Sequence, residues 1–388
     1  MKCDSLIAVI NRQLRQMCRQ PVYVVAILVI PLTMSLFFLS LLGPGLPDRT
    51  PTAIVDLDNS SMSREIGRNL NAMSTINISH TADSYSQAID MMNSGEIYGF
   101  FLIPDDFEQH TISGLTPTLS YYCNMAYYIP GTLTYKGFKT IAVSTSGAVV
   151  KTTLLNVGID ERQVESMLQP IVIQDHPIGN PWTNYAIYLC NSFIPGLIAL
   201  MVMMITAYSV CIEIKQHTSR QWLLTANGNI YIALLGKLLP QTAVFIIVGT
   251  FIQSLLWSYS HFPLNCNALT MITAMTLLIV ACQAFALTVC CIVPNLRLSL
   301  SIVSLFGILS FSIAGLSFPV ESMYGSIGIF SHIIPLRHYF LIYADQALNG
   351  IDIYYSRIHF VALLAFPLVA AMLVWRLKPR LSNPIYIP

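Results

Sequence analysis

The chain has 388 residues, of which 54% are hydrophobic and only 10% charged, with a formal net charge of +1. A soluble globular domain carries about 25% charged residues, so this composition excludes that class and points to an integral membrane protein. The basic residues are dispersed along the chain, without the stripe that nucleic-acid binding requires.

In residues 1–20, Ile7, Ile10, Leu14 and Met17 recur at helical spacing while Arg12, Arg15 and Arg19 project from the opposite face. That pattern predicts a helix lying flat in the cytosolic interface, bracing the span that follows and contacting a cytosolic partner; an ordinary positive-inside flank is the plainer alternative. Apolar runs then occur at 22–42, 185–212, 230–257, 268–293, 298–318 and 358–375. A helix needs about 20 residues to cross a hydrocarbon layer of about 30 Å, so about six transmembrane helices are expected. The first run is longer than the 7–15 residues or so of a signal peptide and no A-x-A site follows it, so it reads as a retained anchor over 21–42.

Residues 43–184 are too long and too patterned for a loop. TAIVDLD, STINIS and YGFFLIP read as strands; SSMSREIGRNLNAM and SYSQAIDMMNSG read as helices, the second ending at Gly95. The same alternation continues through DDFEQHTISG and TPTLSYYCN, which predicts an α/β extracytoplasmic domain of about four strands, inserted between the first and second spans. A helical stalk over about 133–168 leads back to the membrane. His80, His110 and His176 are scattered and suit local hydrogen bonding better than a metal site. Most of the nine cysteines sit within apolar runs with no C-x-x-C spacing, which favours packing over disulfides or metal.

Five helices are expected over 185–377, with a cytosolic tail at 378–388. Between the second and third spans lies EIKQHTSRQWLLTANGN, 213–229, the longest stretch on its side of the membrane between spans. It suits one amphipathic helix, with Trp222, Leu223 and Leu224 seating in a hydrophobic groove of a partner while Lys215 and Arg220 stay in water. A solvated loop with Trp222 at the headgroups is the plainer alternative. Lys237 lies about two turns into the third span, within snorkelling reach of the cytosol. Gln253 and Gln283 suit helix-to-helix hydrogen bonding, and Pro31, Pro195 and Pro240 should kink or loosen their helices. After the fifth span, 319–357 holds apolar pieces too short to cross, which fits an outer re-entrant segment where Arg337, His338 and Asp345 are candidates to pair as a gate.

Orientation follows from the Lys and Arg positions. Lys2, Arg12, Arg15 and Arg19, then Lys215 and Arg220, then Arg297, then Arg376, Lys378 and Arg380 all fall on one side of a six-span chain. By the positive-inside rule that side is the cytosol, with both termini in it. The stretch from Asp48 to Asp175, on the other side, holds fourteen acidic against seven basic residues.

Glu213 directly after a span, Thr218, WLL at 222–224 and GKLLP at 236–240 resemble the coupling-helix region of ABC-2 type transporter permeases. AGLSFPVESM at 314–323 and IIPLRHYFLIYADQALNG at 333–350 resemble that family's segment between its last two spans. The resemblance covers essentially the whole chain. It departs at His217, where Gly is common, at Ala226, where Pro is frequent, and at Tyr324, where Pro is usual. The resemblance implies a permease subunit of an ATP-driven exporter in a bacterial inner membrane, not itself an enzyme. It implies pairing with a second copy or a paralogue and docking of Glu213, Thr218, Trp222, Leu223 and Leu224 onto a separate cytosolic ATPase. ATP and magnesium would sit on that partner. The sequence contains no G-x-x-x-x-G-K-[ST]. A periplasmic adaptor and an outer-membrane channel are further partners by analogy. The competing expectation is a membrane-anchored sensor or receptor whose extracytoplasmic domain binds a ligand.

Overall fold

The computed structural model describes residues 2–43, 45–169, 174, 176–181, 183–316 and 318–383; parts of the expected stalk junction and residues 384–388 of the expected tail lie outside them. The chain divides into two compact units, Met1–Gly45 with Pro177–Pro388, and Leu46–His176. Among the described residues six helices are long and apolar enough to cross a membrane, and the protein is a multi-pass helical membrane protein.

Helix α1, Lys2–Arg19, stops where Gln20 turns extended at φ −100° and ψ 114°. The first crossing helix follows as α2, Pro21–Val24, a π turn over Val25–Val29, and α3, Ile30–Leu41. Pro31 has no N–H to donate to the carbonyl four residues earlier, and the widened π turn ends just before it, which keeps the helix continuous without that bond.

The second unit is built on a four-stranded sheet, β1 (Thr50–Asp56), β2 (Ile76–Thr81), β3 (Gly99–Ile103) and β4 (Ser120–Cys123), in the order β2-β1-β3-β4. β1 pairs in parallel with β2 and β3, and β4 runs antiparallel beside β3. Strand side chains alternate between faces. Ala53, Val55 and Phe100 therefore pack on one side of the sheet with Ala88 and Ile97, while Ile54, Phe101 and Ile103 pack on the other with Ile66, Leu70 and Phe138. Burial on both faces is why the central strands β1 and β3 read as nearly continuous apolar runs, unlike the edge strands β2 and β4. Ser60 and Ser84 accept backbone N–H bonds at the starts of α4 (Ser61–Asn71) and α5 (Tyr85–Ser94), and Gly95 at φ 81° ends α5. After the short α6 (Phe107–Ile112), the stretch expected as a helical stalk consists of two helices, α7, Tyr128–Asn156, and α8, Glu161–Leu168, separated by a turn with Gly158 at φ 88°.

The remaining helices are α9 (Tyr185–Lys215), α10 (Ser219–Thr225), α11 (Ile230–Ser258), α12 (Ala268–Ile292), α13 (Leu296–Ile313), α14 (Gly325–Ser331), α15 (Pro335–Tyr343), α16 (Ile353–Leu373) and α17 (Leu377–Ser382). Asn184, Asn229, Asn267 and Asn295 cap α9, α11, α12 and α13 with their side-chain oxygens, and Asp352 caps α16. These caps satisfy N–H groups that would otherwise be orphaned near the edge of the bilayer. α9 is central and packs closely on α13: a Cβ on Gly196 would stand 2.3 Å from the Phe311 ring, and one on Gly307 would stand 2.4 Å from Leu200. Small residues at such points let helix backbones approach. The fifth crossing helix is shorter than the expected 298–318, because α13 ends at Ile313 and Gly315 turns at φ 91°. The sixth is longer than the expected 358–375, running over Ile353–Ser382. α17 is no free tail, since Leu377 and Leu381 are buried.

Candidate functional site: a buried ion cluster at Glu213

Glu213 lies in the last turn of α9, where the helix dipole is unfavourable to a carboxylate, and it is 1% exposed. Cations and donors from three other segments surround it. Arg12 on α1 binds it as a fork, Nη1 to Oε1 at 2.8 Å and Nη2 to Oε2 at 2.7 Å. Lys237 on α11 donates from Nζ to Oε1 at 2.7 Å, and Gln16 donates from Nε2 to the same oxygen at 3.1 Å. Thr218, at the start of α10, donates its hydroxyl to Oε2. Bidentate and charge-assisted bonds of this kind are the strong ones, and a charge this deeply buried requires them.

The turn that delivers Thr218 needs His217 at φ 58°, the left-handed conformation that glycine adopts without a Cβ penalty. That is the physical reason a glycine suits this place. Past the turn, Trp222 on α10 is fully buried: its Nε1 donates to the Ala233 carbonyl at 3.2 Å, and the Lys237 Nζ lies 4.8 Å from the centre of its ring. Ser219 donates to the Leu381 carbonyl at 2.9 Å, which ties α10 to α17. The cluster thus clamps α1, α9, α10 and α11 together, with two positive charges on one negative.

Three sequence expectations change here. The Trp222 indole is not an outward anchor for a partner's groove, because α11 and Lys237 already cover it; Leu223 is buried too, at 7% exposed. Of the WLL triplet only Leu224 faces outward, at 66% exposed, beside exposed Arg220 and Gln221. Lys237 does not snorkel; it is 1% exposed and its ammonium turns inward to Glu213. Glu213 and Thr218 are brought together with it, as hydrogen-bond partners. Arg12 and Gln16 were missed as site residues. The signal available was a Glu at the very end of an apolar run, which needs a cation, but nothing in the spacing says which cation comes.

On the far side of the sequence, Arg337, His338 and Asp345 do not form the expected mutual pairing. Arg337 donates to the Ala314 carbonyl at 3.3 Å, His338 lies against the His332 carbonyl and the His359 ring, and Asp345 accepts from Ser356 at 3.0 Å. Gln253 donates to the Tyr339 hydroxyl at 2.8 Å and Gln283 accepts from Thr242 at 2.7 Å, both helix-to-helix bonds. Among the described residues no group of three or more His, Cys, Asp or Glu is arranged to hold a metal.

α1 reaches the cluster because Gly236 lets it come close: a Cβ there would stand 2.8 Å from the Val9 side chain. Gly236→Val should therefore push α1 off α11 and lengthen the Arg12 bonds, at a cost of about 1–3 kcal/mol for overpacking. Thermal unfolding of the purified chain would show the loss; a Gly236→Val protein melting like the parent would argue against this close approach.

Six crossing helices, a short helix wedged between the second and third and a clamp of charges behind it define a polytopic helical membrane protein. The chain belongs to the ABC-2 family transporter proteins, whose family model matches residues 21–376, and it is an ABC-2 type permease. Permeases of this family generally work with an ATPase partner. No curated protein matches the chain by sequence.

Proposed function

We propose that this chain is the permease half of an ATP-driven exporter in a bacterial inner membrane, coupled through α10 to a separate cytosolic ATPase that carries the ATP and magnesium. The carrying observation is the Glu213 cluster, which joins Thr218 and Trp222 of the α10 segment to α1, α9 and α11 by buried bonds. A push on α10 is then passed to three helices at once rather than absorbed in a loop. The Lys and Arg distribution supports placing α10, α1 and the C-terminal segment in the cytosol, with the Leu46–His176 unit on the opposite side. A second permease copy or a paralogue would complete the path, and the large inserted unit suits an adaptor and an outer-membrane channel. The sensor alternative gains no support from the family.

The docking surface on this reading is Leu224 with Arg220 and Gln221, the side chains of α10 that remain exposed. Leu224→Glu should reduce ATPase copurification at least tenfold, about 1.4 kcal/mol or more, and abolish ATP-dependent export, while melting stays within about 0.5 kcal/mol of the parent. ATPase retention, ATP turnover and transport are measured in the same inverted vesicles. Unchanged retention would reject α10 as the docking helix.

A further inference from the structure

α1 presents three distinct faces. Ser5, Val9, Gln13 and Met17 are buried, and Val9 meets α11 at Gly236. Ile7 and Leu14 are 53% and 42% exposed, and with half-buried Ile10 they form a second apolar stripe that no part of the chain covers fully. On the third face Arg12, Arg15 and Arg19 stand at spacings of three and four, which places them on one side of the helix. Asn11, Gln16 and Gln20 share this open polar face with them. Arg12 is committed to Glu213, whereas Arg15 and Arg19 are exposed and have no ion-pair partner among the described residues.

We propose that this face is a binding site for the phosphate headgroup of anionic phospholipids. Arg15 and Arg19 offer planar donor forks that match a phosphate. The occupant must also suit the apolar surface that begins just past Arg19, at exposed Val22, Val24 and Val25, which a free phosphate or an acidic peptide does not, whereas a lipid brings its acyl chains there. The position agrees: Arg19 stands just before Pro21, where the crossing helix begins, and Val22, Val24, Val25 and Leu28 continue the exposed apolar surface into the bilayer. A helix with a basic and an apolar face at the start of a span lies at headgroup depth. Because Arg12 on the same helix grips Glu213, a headgroup held by Arg15 and Arg19 steadies the clamp behind α10. The inference rests on the membrane location of the chain and is independent of ATP coupling.

The test uses the full chain in nanodiscs of phosphatidylcholine alone or with added phosphatidylglycerol, with retained lipid read by native mass spectrometry. The parent should retain phosphatidylglycerol preferentially. The R15Q/R19Q variant should lose about thirtyfold of that preference, about 2 kcal/mol at about 1.4 kcal/mol per decade. R15K/R19K, which keeps the charges but loses the planar forks, should fall between the parent and R15Q/R19Q. A fluorophore on exposed Cys18, in a Cys3→Ser/Cys123→Ser/Cys266→Ser background, should be quenched by brominated acyl chains near the headgroups. Undiminished preference in R15Q/R19Q overturns the proposal. Full displacement by millimolar inorganic phosphate would mark a free-anion site, and ATPase loss from R15Q/R19Q in lipid-neutral discs a protein-docking face; either result also overturns it. Should R15Q/R19Q fail to accumulate, Arg19→Gln alone is expected to lose about fivefold, and no loss there rejects the site.

Discussion

Glu213→Ala is expected to cost about 3–5 kcal/mol of stability and to leave little permease in the membrane. The substitution removes the only anion among Arg12, Lys237 and the donors Gln16 and Thr218. Breaking a buried ion pair by deleting one partner strands the other charge, which is worse than lacking the pair altogether. The two cations are not equal in this respect. Arg12 keeps 23% of its side chain exposed and can turn to water, whereas Lys237 at 1% cannot. Lys237→Met in the Glu213→Gln background should therefore recover a substantial part of the loss, and Arg12→Gln in that background much less. Melting temperatures of the parent, Glu213→Gln, Lys237→Met and the double variant in one detergent, combined as a double-mutant cycle, check this, and the same cycle with Arg12→Gln gives the comparison. Strict additivity would mean that the carboxylate and the ammonium do not interact.

Trp222→Ala should be nearly as severe, by another route. The indole fills space between α10 and α11, donates to the Ala233 carbonyl and lies under the Lys237 ammonium, so truncation opens a cavity, orphans no charge and removes a cation–π contact. Large-to-small changes of a buried Trp cost about 3–5 kcal/mol. Loss of ATPase retention in this variant would follow from a loosened α10 and not from a missing docking contact. Two measurements separate the cases: Trp222→Ala should lower both the melting temperature and retention, whereas Leu224→Glu lowers retention alone. A Trp222→Ala protein of parental stability that has lost its ATPase would return the indole to the docking surface.

The crossing helices were largely legible from the sequence, because a bilayer imposes length and apolarity on each segment independently of the others. Errors fell at the ends: α13 stops at Ile313 and α16 starts at Ile353, where turn conformation and the Asp352 cap decide rather than hydropathy. The Asn residues at 184, 229, 267 and 295 were an available end signal. The strand and helix alternation of the inserted unit was likewise readable, since each strand buried on both faces must be a short apolar run bounded by turn residues.

What the sequence determined by itself, then, is what one segment must satisfy alone: that 22–42 and its five counterparts are apolar and helical, that basic residues gather in alternate connections, and that 213–229 is a short polar helix-former. Tertiary structure decided which way side chains face. Helical periodicity leaves Trp222 equally able to seat outward in a partner or inward on α11, and leaves Lys237 equally able to reach water or a carboxylate. Only the approach of α1 at Gly236, bringing Arg12 and Gln16 from some two hundred residues away to Glu213, makes the inward choice the lower in energy, because a buried carboxylate is tolerated only where several donors from separate helices meet it at once.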